Sequence, residues 1–119
     1  MITIKAYTTI EQSRKLAEIL PIGSADMYYM ETSCNNYTIG VLQRLEKDML
    51  LNKAEYYKMF PCWSLAALLS VLPNYQLQTQ DDGIGVLCSC NGKFNIVTAD
   101  NPVDACYKMI LKLHELNLL

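Results

Sequence analysis

The stretch YQLQTQDDGIGVLCSCNGKFNIVT, from Tyr75 to Thr98, decides the fold. Tyr75 to Thr79 alternates as a strand, Asp81-Asp82-Gly83 supplies turn residues, and Ile84 to Cys90 returns as a second strand. Asn91-Gly92 follows, the strongest short hairpin signal in the chain, because a type I′ turn needs positive φ at both central positions. Lys93 to Thr98 then pairs back on Ile84 to Cys90, and the whole reads as a three-stranded antiparallel meander.

Downstream, Asp100-Asn101-Pro102-Val103-Asp104 combines an Asn cap, a Pro at the first helical position and a carboxylate that complements the helix dipole. The helix it opens carries an apolar stripe of Val103, Cys106, Ile110 and Leu113, extended by Met109 and Leu116, with Lys108 and Lys112 off it. Upstream, Leu65 to Leu72 is apolar nearly all round, as in a helix buried on more than one side, and Pro73 ends it. Pro61-Cys62-Trp63-Ser64 reads as its entrance, with Pro61 in the first turn and Ser64 able to satisfy orphan amides.

Glu55 to Phe60 alternates as a strand entering Pro61. From Tyr37 to Asn52 the recurrence of Val41, Leu42, Leu45 and Met49 among charged residues favours a helix with a solvated face over a strand. Met27 to Thr32, aromatic-rich and bounded by polar residues, predicts a short strand. Thr9-Ile10-Glu11-Gln12 is a capping box, opening a helix to about Leu20 with Leu16, Ala17 and Leu20 at helical spacing, closed by Pro21 and Gly23. The expectation is a single α+β domain over residues 1–119: an antiparallel sheet that includes the meander, packed with about three to four helices.

Composition agrees with one domain. A hydrophobic fraction of 51% against a charged fraction of 18% supplies ample core and little polar cover. With eight Tyr, this opens the way to an exposed apolar or tyrosine-rich patch, and so to a protein partner or a homodimer. A net charge of −2 and a pI of about 5.3 count against nucleic acid, whose binding draws on phosphate neutralisation. Met1 to Ile10 lacks the apolar core of a secretory signal, and the longest apolar run, Trp63 to Leu72, falls short of the ~20 residues that span a bilayer. Cys34, Cys62, Cys88, Cys90 and Cys106 are odd in number and scattered, the usage of a reducing, cytoplasmic compartment. The Asn36-Tyr37-Thr38 sequon is without consequence there.

Candidate chemistry is sparse. Cys88-x-Cys90 could share a metal, or serve an enzyme or ligand-binding domain with the only histidine, His114, brought near by folding. On a strand, however, the two cysteines share the face of Ile84 and Val86, and no second cysteine pair completes a zinc site, so packing is the stronger reading. His114 sits where it can meet the last carbonyls of its helix. Asp81 and Asp82 diverge as turn neighbours, and Ser64 has no nucleophile elbow around it. No catalytic, metal or cofactor motif emerges. Trp63, with Tyr28, Tyr29, Tyr56 and Tyr57, is the set best suited to a binding surface, although core packing against the sheet is the stronger reading of Trp63.

Three segments carry a resemblance: Phe60-Pro61-Cys62-Trp63-Ser64-Leu65-Ala66-Ala67-Leu68-Leu69 with Leu72-Pro73, then Asp100 to Ala105, and Ala25-Asp26-Met27 after the capped first helix. Together they resemble short proteins of bacteriophages and mobile elements of gut anaerobes, over most of the chain except Ser33 to Lys53. That group has no assigned activity, so the resemblance carries over no catalytic or binding residue. It implies an accessory protein that acts by binding a component of the host or the virion.

Overall fold

Helix capping sets the first element. In the computed structural model, which describes residues 5–33, 36–41, 59–90 and 92–119, the Thr9 hydroxyl accepts from the Gln12 N–H at 3.1 Å. The Thr9 N–H donates in return to Gln12 Oε1 at 3.0 Å. This box opens α1 (Ile10–Ile19), whose buried residues are Ser13 and Leu16, joined by the C-cap Leu20. Ala17, expected on the apolar stripe, is exposed, because the buried face is centred on Ser13 and Leu16 instead. A 3-10 turn at Ile22–Ser24 follows Pro21.

The chain then builds β1 (Met27–Ser33), β2 (Asn36–Val41) and β3 (Met59–Cys62), an antiparallel sheet in the order β2-β1-β3. Two expectations change here. Tyr37 to Val41 is strand rather than the start of a helix: Tyr37, Thr38, Ile39 and Val41 are aromatic or β-branched and pair in register with β1. The rest of that expected helix, residues 42–52, lies outside the described residues, as does most of the strand read at Glu55 to Phe60. Pro61 is not a first-turn proline but a residue of β3, paired opposite Tyr28. An edge strand tolerates the missing N–H of a proline.

Ser64 does cap the next helix, α2 (Leu65–Val71), accepting from the Ala67 N–H at 3.2 Å. The meander forms as read: β4 (Tyr75–Gln80), β5 (Gly83–Cys90) and β6 (Lys93–Ala99), antiparallel in the order β4-β5-β6. Asp81 and Asp82 form the first turn, and Gly92, at φ +79°, takes the left-handed conformation that the second turn requires. It is a separate sheet, so the described residues hold two three-stranded antiparallel sheets where the sequence suggested one.

Asn101 accepts from the Asp104 N–H at 2.9 Å and opens α3 (Pro102–Glu115) with Pro102 in its first turn. Val103, Cys106, Met109, Ile110 and Leu113 are fully buried along it. Leu116, expected to extend the stripe, is the C-cap residue and stands 50% exposed. The main core gathers Leu16 and Leu20 at the first helix, Trp63 and Leu68 around the second, Val86 and Cys88 from β5, and the inner face of α3. Among the described residues no helix is long and apolar enough to cross a membrane.

Candidate functional site

Side-chain alternation along β1 separates the tyrosines that the sequence grouped. Tyr29 faces the segment before α1, is 8% exposed, and donates from its hydroxyl to the Thr8 carbonyl at 2.7 Å. Burial, with Cys62 and Tyr7 adding to it, pushes its phenol well above the ordinary value. Tyr28 points to the other face, half-buried, with its ring over Gly40 of β2: a Cβ at Gly40 would lie 2.7 Å from the Tyr28 hydroxyl. Trp63 is fully buried and its indole Nε1 donates to Ser24 Oγ at 2.9 Å. Ser24 passes the chain on to the Pro21 carbonyl at 2.6 Å. Tyr56 and Tyr57 lie outside the described residues.

The structure assembles a different aromatic row around Tyr29. Its ring stacks on Phe60 at 5.3 Å and meets Tyr7 edge-on at 6.4 Å, while Tyr37 packs edge-on against Phe60 at 5.8 Å. Arg14 of α1 closes the row, its guanidinium 5.0 Å from the Phe60 centroid and its Nη2 donating to the Tyr37 hydroxyl at 3.2 Å. Beside Tyr7 and Tyr29, the backbone from Lys5 to Thr9 lines an open cleft of about 400 Å³. Tyr7, Tyr37, Phe60 and Arg14 come from four segments, and no local pattern in the sequence pointed to their meeting, which the Tyr29–Phe60 register brings about.

Three of the four described thiols are buried. Cys88 and Cys106 are sealed in the core, and burial, reinforced by Cys90 beside the one and Cys88 beside the other, pushes them up to about 11 and about 12. Cys62 is likewise raised by burial, although side-chain hydrogen bonding with Thr8 and Ser13 opposes the rise. His114 faces solvent, so the fold does not turn Cys88 and His114 into a nucleophile and base. Ser64 is committed as well: its hydroxyl donates to the Asp26 carboxylate, and its N–H donates to Asp26 Oδ1 at 2.9 Å. Cys34 lies outside the described residues. Among those described, no group of three His, Cys, Asp or Glu side chains converges as a metal site.

A larger uncovered apolar surface lies on the second sheet. Val86 and Cys88 of β5 point into the core, so Leu87 points outward, opposite Ile96 of β6, with Phe94 two residues along the same face. Phe94 is 71% and Ile96 48% exposed, and Gln76 and Gln78 of β4 flank the group. The sequence concealed this face because Phe94, Ile96 and Val97 are all apolar, which blurs the alternation that would mark one side as wet. In comparisons with known proteins, no family model, curated protein or solved structure matches the chain.

Proposed function

We propose that this chain is a non-catalytic binding protein that docks a protein partner through the outer face of its second sheet. The observation that carries the reading is the group Leu87, Phe94 and Ile96, contiguous, outward-facing and flanked by uncharged glutamines. Single exposed apolar residues are ordinary, but a cross-strand cluster holding a Phe at 71% exposure is the pattern of a contact surface. Burying what remains exposed of Phe94 and Ile96 in an interface is worth on the order of 1–2 kcal/mol each. The pairing of apolar centre and polar amide rim matches the anatomy of protein interfaces.

Trp63 shares the core with Val86 and Cys88 beneath this sheet, while Tyr7 offers a second aromatic contact at 36% exposure. An accessory role of phage or mobile-element kind is part of the proposal and rests on the resemblance carried by Phe60 to Leu69 and Asp100 to Ala105. The test is tagged capture from the native host, with quantitative mass spectrometry against a tag-only control. A stoichiometric protein partner that is lost on Phe94→Glu, with the thermal midpoint of the variant unchanged, supports the reading. Recovery of the bait alone, or a partner indifferent to Phe94→Glu, overturns it.

A further inference from the structure

The two edges of the second sheet are treated differently. Ser89 donates its N–H to the Asn74 carbonyl at 3.4 Å, so the odd-numbered residues of β5 turn their backbone groups toward β4. The register then makes Leu87 with Gln76 and Gly85 with Gln78 the bonded pairs. It follows that the N–H and C=O groups of Tyr75, Leu77 and Thr79 point away from β5, along the open edge. By the same parity Phe94, Ile96 and Thr98 of β6 point to the opposite edge. There Lys108 donates to the Thr98 carbonyl at 3.1 Å, and Lys93 charges the start of the strand.

Among the described residues, nothing comparable protects β4. The strand reads Tyr-Gln-Leu-Gln-Thr-Gln, with no charge, Pro, Gly or bulge, the devices by which edge strands avoid pairing. Its core-side residues are also uncovered: Tyr75 is 45% and Leu77 39% exposed, although their neighbours Cys88 and Val86 on β5 are sealed. Among the described residues, the last helix packs chiefly on β5 and β6.

We propose that β4 is a self-association edge, pairing antiparallel with β4 of a second copy about a two-fold axis at Leu77. This goes beyond the partner-docking face and does not depend on it. A second copy is the occupant because the edge is complementary to itself. Leu77 falls opposite the partner's Leu77, and Tyr75 falls opposite the partner's Thr79, in about six main-chain hydrogen bonds. On the other face Gln76 meets the partner's Gln78, amide against amide, and no like charges oppose each other. The product is a continuous six-stranded sheet in which the two uncovered Leu77 side chains cover one another, the self-complementary contact of a two-fold dimer.

The test needs no other protein: analytical ultracentrifugation of the full chain across a concentration series, with hydrogen exchange read residue by residue. The expected result is a monomer–dimer equilibrium in which protection of the Tyr75, Leu77 and Thr79 amides rises with concentration while Phe94, Ile96 and Thr98 stay unchanged. Leu77→Lys places two ammonium groups opposite each other and should weaken the dimer about tenfold or more, with unchanged circular dichroism. Phe94→Glu should leave the dimer intact, which separates this proposal from the docking face. A chain monomeric at every soluble concentration, a dimer indifferent to Leu77→Lys, or protection gained at β6 instead overturns it.

Discussion

Lys5 Nζ lies 2.6 Å from Asp104 Oδ1, tying the segment before α1 to the first turn of the last helix across almost the whole length of the chain. Gln12 joins them, accepting from Lys5 at 2.9 Å and donating to the same carboxylate oxygen at 2.8 Å, and Asn101 Nδ2 donates to Asp104 Oδ2 at 2.8 Å. Burial alone would raise the Asp104 carboxyl, but the bonds from Lys5, Gln12 and Asn101 outweigh it and hold the group below its ordinary value. A carboxyl depressed by folding stabilises above its unfolded pKa and loses that contribution as pH falls through the folded value. The thermal midpoint should therefore fall as pH drops below about 5, and Asp104→Asn should flatten that slope. At neutral pH, Asp104→Ala should cost about 1–3 kcal/mol in denaturant unfolding, since it leaves Lys5 without its carboxylate.

Trp63 is the chain's single tryptophan and is fully buried, so its fluorescence reports on the core. Trp63→Ala should cost about 3–5 kcal/mol by leaving a cavity that its neighbours cannot fill. Trp63→Phe should cost less, because Ser24 keeps its bond to the Pro21 carbonyl when the indole N–H is removed. Urea unfolding followed by circular dichroism ranks the two variants. Equal losses would mean that the hydrogen bond, rather than ring volume, governs the site.

What the sequence disclosed was local. Thr9 with Gln12, Ser64, and Asn101 with Pro102 and Asp104 each signal a cap within four residues, and each cap forms. Asn91-Gly92 likewise announces the β5–β6 hairpin. Where two rules competed, the local one failed: Pro61 suits a first helical turn and an edge strand equally, and pairing with Tyr28 decides. The helical spacing that begins at Val41 drew Tyr37 to Val41 into the wrong element, because only the pairing with β1 shows them to be strand. The division into two sheets, the row from Tyr7 to Tyr37 and the uncovered Phe94 all depend on contacts distant in sequence, which periodicity does not register.

Gly83 opens β5 at φ +153°, and a Cβ there would lie 2.1 Å from the Ala99 carbonyl oxygen. That oxygen belongs to the backbone of β6, which is paired to β5 and cannot withdraw without breaking the ladder. Gly83→Ala should therefore destabilise by about 1–3 kcal/mol or more, combining backbone strain with the clash. Gly92→Ala meets open space and bears only the cost of its positive φ, so it should be the milder change. Comparing the two urea midpoints checks the order, and a reversal would show that the contact with Ala99 relaxes freely.

The cysteines give the last prediction, with a sign opposite to that of Asp104. Cys88 and Cys106 lie above the ordinary thiol value of 9.0, at about 11 and about 12, so the folded state favours their protonated form. Their contribution is complete below the unfolded pKa and is lost as pH rises through the folded values. Stability should decline from about pH 9 upward, and the decline should shrink in Cys88→Ala or Cys106→Ala when each is compared with its own neutral-pH value. At pH 8, alkylation followed by peptide mass spectrometry should modify half-buried Cys90 before Cys62, Cys88 and Cys106, which should react only on unfolding. Labelling of Cys88 as fast as Cys90 in the folded protein would mean that β5 opens without global unfolding and that both thiols are open to reaction.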